Sequence, residues 1–149
     1  MSSASRSDGA PLTLHASCIA LDGRGLLITG ASGRGKSSLA LQLMALGARL
    51  VADDRTGLTR QGDQVIAESP IAIKGLIEAR GVGLLRAEAA GPTPVVLSVD
   101  LDLNEQERLP PPRHIRLLGC DIPLLRGAEM PHLGPALLQF LKAGRQETP

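Results

Sequence analysis

Aromatic side chains are almost missing from this chain of 149 residues: Phe140 stands alone, with no Trp and no Tyr. The core must therefore be aliphatic, and the absence argues against modules that stack bases on aromatic platforms. Sixteen Lys and Arg against fifteen Asp and Glu leave a net charge of +1. So small a charge argues against nucleic acid or another large polyanion as the main partner. Lysine itself is scarce, confined to Lys36, Lys74 and Lys142. The two cysteines, Cys18 and Cys120, are too few for a disulfide framework. Each lies in an apolar stretch, so buried thiols are expected, and no histidine stands at metal-ligand spacing from either. No run of 18 apolar residues occurs, so no membrane-crossing helix is expected. Residues 1–11 are small and polar without the apolar stretch of a signal peptide, which predicts a disordered tail and a cytoplasmic location. Residues 12–145 then form one domain, large enough to bury about two-thirds of its unfolded surface, with 146–149 as a short C-terminal tail.

What is present centres on Gly30-Ala31-Ser32-Gly33-Arg34-Gly35-Lys36-Ser37. It matches G-x-x-x-x-G-K-[ST], the loop that cradles the phosphates of a nucleoside triphosphate. Glycines let successive backbone N–H groups turn inward around an anion, since no Cβ blocks the positive-φ conformations this needs. Lys36 is then placed to reach the β- and γ-phosphates, and the Ser37 hydroxyl to ligate Mg²⁺. Gly25 to Thr29 reads as a buried strand entering the loop. Ser38 to Leu46 reads as the helix leaving it, whose N-terminus adds partial positive charge.

Around the loop, Leu12 to Leu21 reads as one strand, turned by Asp22-Gly23 into the next. The helix that starts at Lys36 should stop near Gly47, and Arg49 to Ala52 is a short strand running into Asp53-Asp54. Gly57–Arg60 and Gln64–Ala67 form a hairpin. Ser69-Pro70 has the form of a helix start, with Ile73, Leu76 and Ile77 following at helical spacing. Pro94–Val99 is a strand and Leu103–Pro112 a loop. Ile115–Leu118 and Ile122–Leu125 are short strands, and Leu133–Ala143 is a closing helix. Strands and helices mixed around a phosphate loop predict an α/β sandwich with a mixed sheet and flanking helices.

An acid at the end of an apolar strand is a common way to set a carboxylate beside Mg²⁺. Here Asp53 and Asp54 both follow Lys36 by about one helix and one strand. One could hold metal-bound water while the other accepts a hydroxyl proton. Adjacent strand residues face opposite sides, so the two cannot share a task unless the backbone turns. The competing reading is a surface turn with solvated acids. His15, mid-strand, is either a hydrogen-bonded structural residue or a group approaching the phosphate end. Glu78, at the expected helix end, is a potential metal or substrate ligand, with Arg80 beside it. Asp54-Arg55-Thr56-Gly57 superficially matches the D-x-x-G of GTPases. The guanine-reading N-K-x-D has no counterpart, because Asn104 is the only asparagine and Glu105 follows it.

Taken in order, His15, the loop Gly30–Ser37, Arg49-Leu50-Val51-Ala52-Asp53-Asp54 and Glu78-Ala79-Arg80-Gly81-Val82-Gly83 resemble the C-terminal catalytic domain of the HPr kinase/phosphorylase family. The last segment is like that family's E-x-R-G-x-G. The resemblance runs from about Leu14 to Leu125 and is to the short form without the family's N-terminal domain. It implies ATP- and Mg²⁺-dependent phosphorylation of a serine on HPr, a small phosphocarrier protein of a phosphotransferase system. It also implies the reverse phosphorolysis, in which inorganic phosphate attacks phosphoserine. By the same resemblance Lys36 and the loop amides hold ATP, Ser37 and Glu78 ligate Mg²⁺, and the Asp53-Asp54 pair contains the proton acceptor, with Asp54 the first choice. His15 would set the protonation of the transferred phosphate. Arg108, in Glu107-Arg108-Leu109 where the family has D-R-L, would be the transition-state cation. Arg126 to Met130 matches the family's R-P-G-R-N, associated with phosphorolysis, only in part. Assembly into a homo-oligomer, a hexamer by resemblance, is a further expectation. The alternatives are a nucleotide-sensing module without chemistry and a small-metabolite kinase.

Overall fold

A computed structural model of the protein describes residues 10–147. Of the two expected tails, residues 1–9 and 148–149 lie outside the described residues. Eleven strands and two α-helices follow in the described part: β1 (Leu12–Leu14), β2 (Ser17–Leu21), β3 (Arg24–Thr29), α1 (Lys36–Ala45), β4 (Arg49–Ala52), β5 (Thr56–Gln61), β6 (Gln64–Glu68), β7 (Leu76–Ala79), β8 (Gly83–Arg86), β9 (Thr93–Asp100), β10 (His114–Leu117), β11 (Cys120–Arg126) and α2 (Leu133–Ala143). The main sheet runs β1-β5-β6-β9-β3-β2-β4, with β11 also joined to β9 and β10 to β11. β3 and β11 are parallel to β9, whereas β2, β4 and β6 pair antiparallel, so the sheet is mixed as expected.

Leu26, Leu27 and Ile28 are all fully buried, because β3 is covered on both faces. Leu26 and Ile28 pack with Leu39 and Leu43 of α1 and Leu137 and Leu141 of α2. Leu27 faces the other way, among Cys18, Val51, Leu58, Val65 and Ile122. An uninterrupted apolar run is what such doubly covered strands require. A bulge in β9 preserves this division: Gly25 pairs with Val95 and Leu26 with Leu97, so Val95 and Leu97 serve opposite faces despite their even spacing.

α1 ends as its glycine predicts. The Gly47 N–H donates to Met44 O and the Ala48 N–H to Leu43 O, closing a Schellman motif. Two expectations fail. The strand expected over Leu12–Leu21 is two strands, broken at His15-Ala16, so that β1 pairs with β5 while β2 pairs with β3 and β4. The helix expected after Ser69-Pro70 is a single 3-10 turn, Ile71–Ile73, followed by the β7–β8 hairpin. Ser69 Oγ donates to the Pro70 carbonyl instead of capping an N–H. Three apolar residues in five positions fit either period, and burial decides it. Ile77 packs into the core beside Leu43, while Glu78 faces solvent.

Candidate active site

The loop Gly30–Ser37 leaves the C-terminal end of β3 and enters α1. Gly35 caps the helix at φ 94, in the left-handed region where a side chain is strained. Gly30 has φ 148, and a Cβ there would lie 3.2 Å from the Cβ of Leu101, so a side chain would be both strained and crowded against the β9 terminus. Lys36 folds back over the loop, with Nζ donating to Gly30 O at 2.7 Å and to Ala31 O at 3.3 Å. Its ammonium is thereby held against the loop backbone.

β4 ends at the same place, because β2 lies between β3 and β4 and pairs antiparallel with both. That topology delivers the twin acids to the loop. Asp53 is buried, at 6% exposure, and both its oxygens are engaged. Oδ1 accepts from Ser37 Oγ at 2.6 Å and from Ser17 Oγ at 2.8 Å, and Oδ2 accepts from the Glu78 N–H at 3.2 Å. One carboxylate thus ties together the phosphate loop, β2 and the β7–β8 hairpin. Asp54 is the reverse case. Its φ of 69 turns the chain, so its side chain is exposed at the cleft instead of entering the core.

The cleft has a volume of ≈ 260 Å³ and is lined by Ser32, Gly33, Gly35, Lys36, Ser37, Ser38, Asp54, Glu78 and Arg80. Backbone of the glycine-rich loop, two cations, two carboxylates and three hydroxyls thus converge. The pair Glu78 and Arg80 reaches it from β7 and the turn after it, not from a helix end. No group of three or more His, Cys, Asp and Glu side chains capable of holding an ion is found among the described residues. Mg²⁺ does not need one, since it keeps several waters and takes one or two protein oxygens together with phosphates. Ser37 and Glu78 supply hard oxygen donors of that kind.

His15 and Arg108 do not line this cleft. His15 is exposed, two residues before Ser17, whose partner Ile28 lies near the loop end of β3. Arg108 is exposed on the long segment after β9, whose course is held by Arg113 clamping Glu105 through two hydrogen bonds of 2.9 and 3.1 Å. Two supporting residues escaped the sequence reading. Ser17 orients Asp53, and nothing in a lone serine within an apolar strand announces that. Asp102 accepts the Ala31 N–H at 3.0 Å and pairs with Arg34 at 3.1 Å, bracing the loop from β9. The signal for Asp102 was available: Val99-Asp100-Leu101-Asp102 is another apolar strand running into acids, as Val51-Ala52-Asp53-Asp54 is.

The family described as HPr Serine kinase C-terminal domain matches residues 9–103. The chain belongs to that family. Its members' kinship extends to the fold: the solved HPr(Ser) kinase/phosphatase from Coxiella burnetii superposes with a TM-score of 0.76 at 29% identity, covering 88% of this chain and 93% of that one. The HPr kinase/phosphorylase of Halalkalibacterium halodurans is 37% identical over 78% of this chain and 42% of its own length. That of Pediococcus pentosaceus is 45% identical over 49% of this chain and 24% of its own. The chain therefore spans less than half the length of these HPr kinase/phosphorylase relatives. The loop, the twin acids and the Glu78–Arg80 pair all fall inside the family match, and Arg108 lies beyond it.

Proposed function

We propose that the protein transfers the γ-phosphoryl group of ATP, with Mg²⁺, to a serine hydroxyl of an HPr-type phosphocarrier protein, and that the same site serves the reverse phosphorolysis. The observation that carries the reading is the division of labour between Asp53 and Asp54. The buried carboxylate orients Ser37, and its neighbour, turned by a left-handed backbone, stands free in the phosphate cleft.

The loop amides and Lys36 hold the triphosphate. Bound Mg²⁺ supplies charge neutralisation across the phosphates, and Ser37 and Glu78 are the side chains that would hold it. Because the Ser37 proton points at Asp53, its oxygen lone pairs face away from that carboxylate and are free for a cation. Asp54 accepts the proton of the acceptor serine as its oxygen attacks, a contribution of roughly 10²–10⁴ in rate, and returns a proton in the reverse direction. Arg80 is the second cation of the cleft beside Lys36, whereas His15 and Arg108, to which the family resemblance assigns roles, do not line it.

The test is to incubate the protein with ATP, Mg²⁺ and purified HPr-type carrier and to weigh the carrier by mass spectrometry. A gain of one phosphoryl on serine is expected. ATP binding without mass gain would leave a nucleotide sensor, and ATP consumption without a protein acceptor a metabolite kinase.

A further inference from the structure

A second cavity, of ≈ 540 Å³, opens on the other side of the phosphate loop, and Gly35 and Ser38 line both spaces. Its walls are Gln42 of α1, Leu101 after β9, and the segment from Glu129 to Gly134 that leads into α2. A triphosphate in the loop has two ends, and these two spaces differ in a way that sorts them. The smaller holds the carboxylates, Arg80 and the Ser37 hydroxyl, the chemistry of transfer. The larger combines Leu39, Leu101, Met130 and Leu133 with the polar Arg34, Ser38, Gln42 and Glu129, and its size falls in the range of small-molecule pockets.

The far wall is built, not incidental. A Cβ on Gly127 would lie 2.7 Å from Val99 Cγ2, so the chain there is pressed onto the sheet. The Gly127 N–H donates to Asp100 O at 3.0 Å and the Ala128 N–H to Leu103 O at 2.9 Å. The next residue, Glu129, is held at φ 57, a conformation that disfavours any residue with a Cβ. Such strain persists where the surroundings enforce it and concentrates at ligand sites. The Glu129 side chain is exposed at the cavity and makes no hydrogen bond or ion pair with another described residue. A carboxylate is an acceptor only, and a nucleoside brings donors in its ribose hydroxyls and base.

We propose that this cavity seats the nucleoside of the triphosphate, with Glu129 accepting a hydrogen bond from it and Gly134 left without a side chain to keep the space open. The inference rests on reading the loop as an ATP site. It assigns nucleotide selectivity to the α1–α2 side, separate from the transfer chemistry.

Two variants of the full chain test it by calorimetry, with Mg-ATP and inorganic tripolyphosphate as probes. At Gly134→Leu the Cβ meets Gln42 Oε1 at 3.6 Å and Leu43 Cδ2 at 3.9 Å, ordinary contacts, leucine favours helix over glycine, and an unchanged Tm checks that the fold accepts the rest of the side chain. The substitution should weaken ATP about tenfold or more while leaving tripolyphosphate within about twofold. Glu129→Gly relieves the left-handed strain, so its Tm should rise while ATP binding falls by about tenfold, a combination that mere loss of structure cannot produce. Wild-type ATP affinity in both variants, or parallel loss of both probes, would overturn the proposal. Failure of the wild-type protein to bind either probe would instead bring down the reading of the loop itself, and this inference with it.

Discussion

The hydroxyl of Ser37 stands 2.6 Å from a carboxylate oxygen of Asp53, across the gap between the first turn of α1 and the end of β4. The contact sets the rotamer of the serine and the direction of its proton. It also gives the two consecutive acids different work, because Asp53 is spent on structure and Asp54 is not. Each assignment has its own measurable consequence.

Asp54→Asn should abolish phosphoryl transfer, by about 10²–10⁴, while leaving ATP binding and thermal stability close to wild type. Asparagine keeps the shape of the side chain and tolerates the left-handed backbone at φ 69, which alanine does not. Single-turnover transfer to the carrier and calorimetric ATP titration check the two halves. Unchanged transfer would remove Asp54 from the chemistry.

Asp53→Ala should fail differently. It strands the hydroxyls of Ser17 and Ser37 and the Glu78 N–H beside a buried void, at a cost of about 2–4 kcal/mol. Urea unfolding reads the loss directly. Transfer should fall along with stability, because the loop and the β7–β8 hairpin lose their shared anchor.

The clamp on the segment carrying Arg108 should be sensitive to acid. Hydrogen bonds from Arg113 hold the Glu105 carboxyl below its ordinary value of 4.5. A lowered folded-state value means that the stabilisation is complete above the ordinary value and disappears as pH falls through the lowered one. Urea unfolding of the wild type and Arg113→Gln from about pH 6 to about pH 3 should therefore show a gap that closes toward the acid end. NMR titration should find Glu105 returned to its ordinary range in the variant.

Cys18 should be chemically silent in the folded protein. Burial pushes its thiol up to about 12 and keeps it neutral at physiological pH. In a Cys120→Ser background, a disulfide reagent at about pH 8 should react only as the chain unfolds, since about one thiol in ten thousand would be ionised even if reached. The stability linked to this neutral thiol is constant below the ordinary value of 9.0 and is lost as pH rises toward 12.

Local patterns were readable wherever one physical cause dominated. The turn at Asp22-Gly23 and the helix stop at Gly47 follow from residues acting on their own backbone, and the closing helix Leu133–Ala143 from one apolar face at helical spacing. The reading failed where two periods fitted the same few residues. Ile73, Leu76 and Ile77 suit a helix on paper, and only the packing of Ile77 against the core turns that stretch into a strand. The break at His15-Ala16 was hidden for a related reason. A single strand-like stretch does not reveal that its two halves pair with different neighbours.

By itself, the sequence determined the phosphate loop, the acids that follow it and the family to which the chain belongs, because these depend on residue types at set spacings along the backbone. Tertiary structure alone decided which of Asp53 and Asp54 is buried. That outcome needs β2 inserted between β3 and β4, a serine on β2 to meet one carboxylate, and a left-handed turn to release the other. It likewise decided that Glu78 and Arg80 face the loop from a hairpin. Those relations join residues tens of positions apart, and their energies exist only once the chain has closed upon itself.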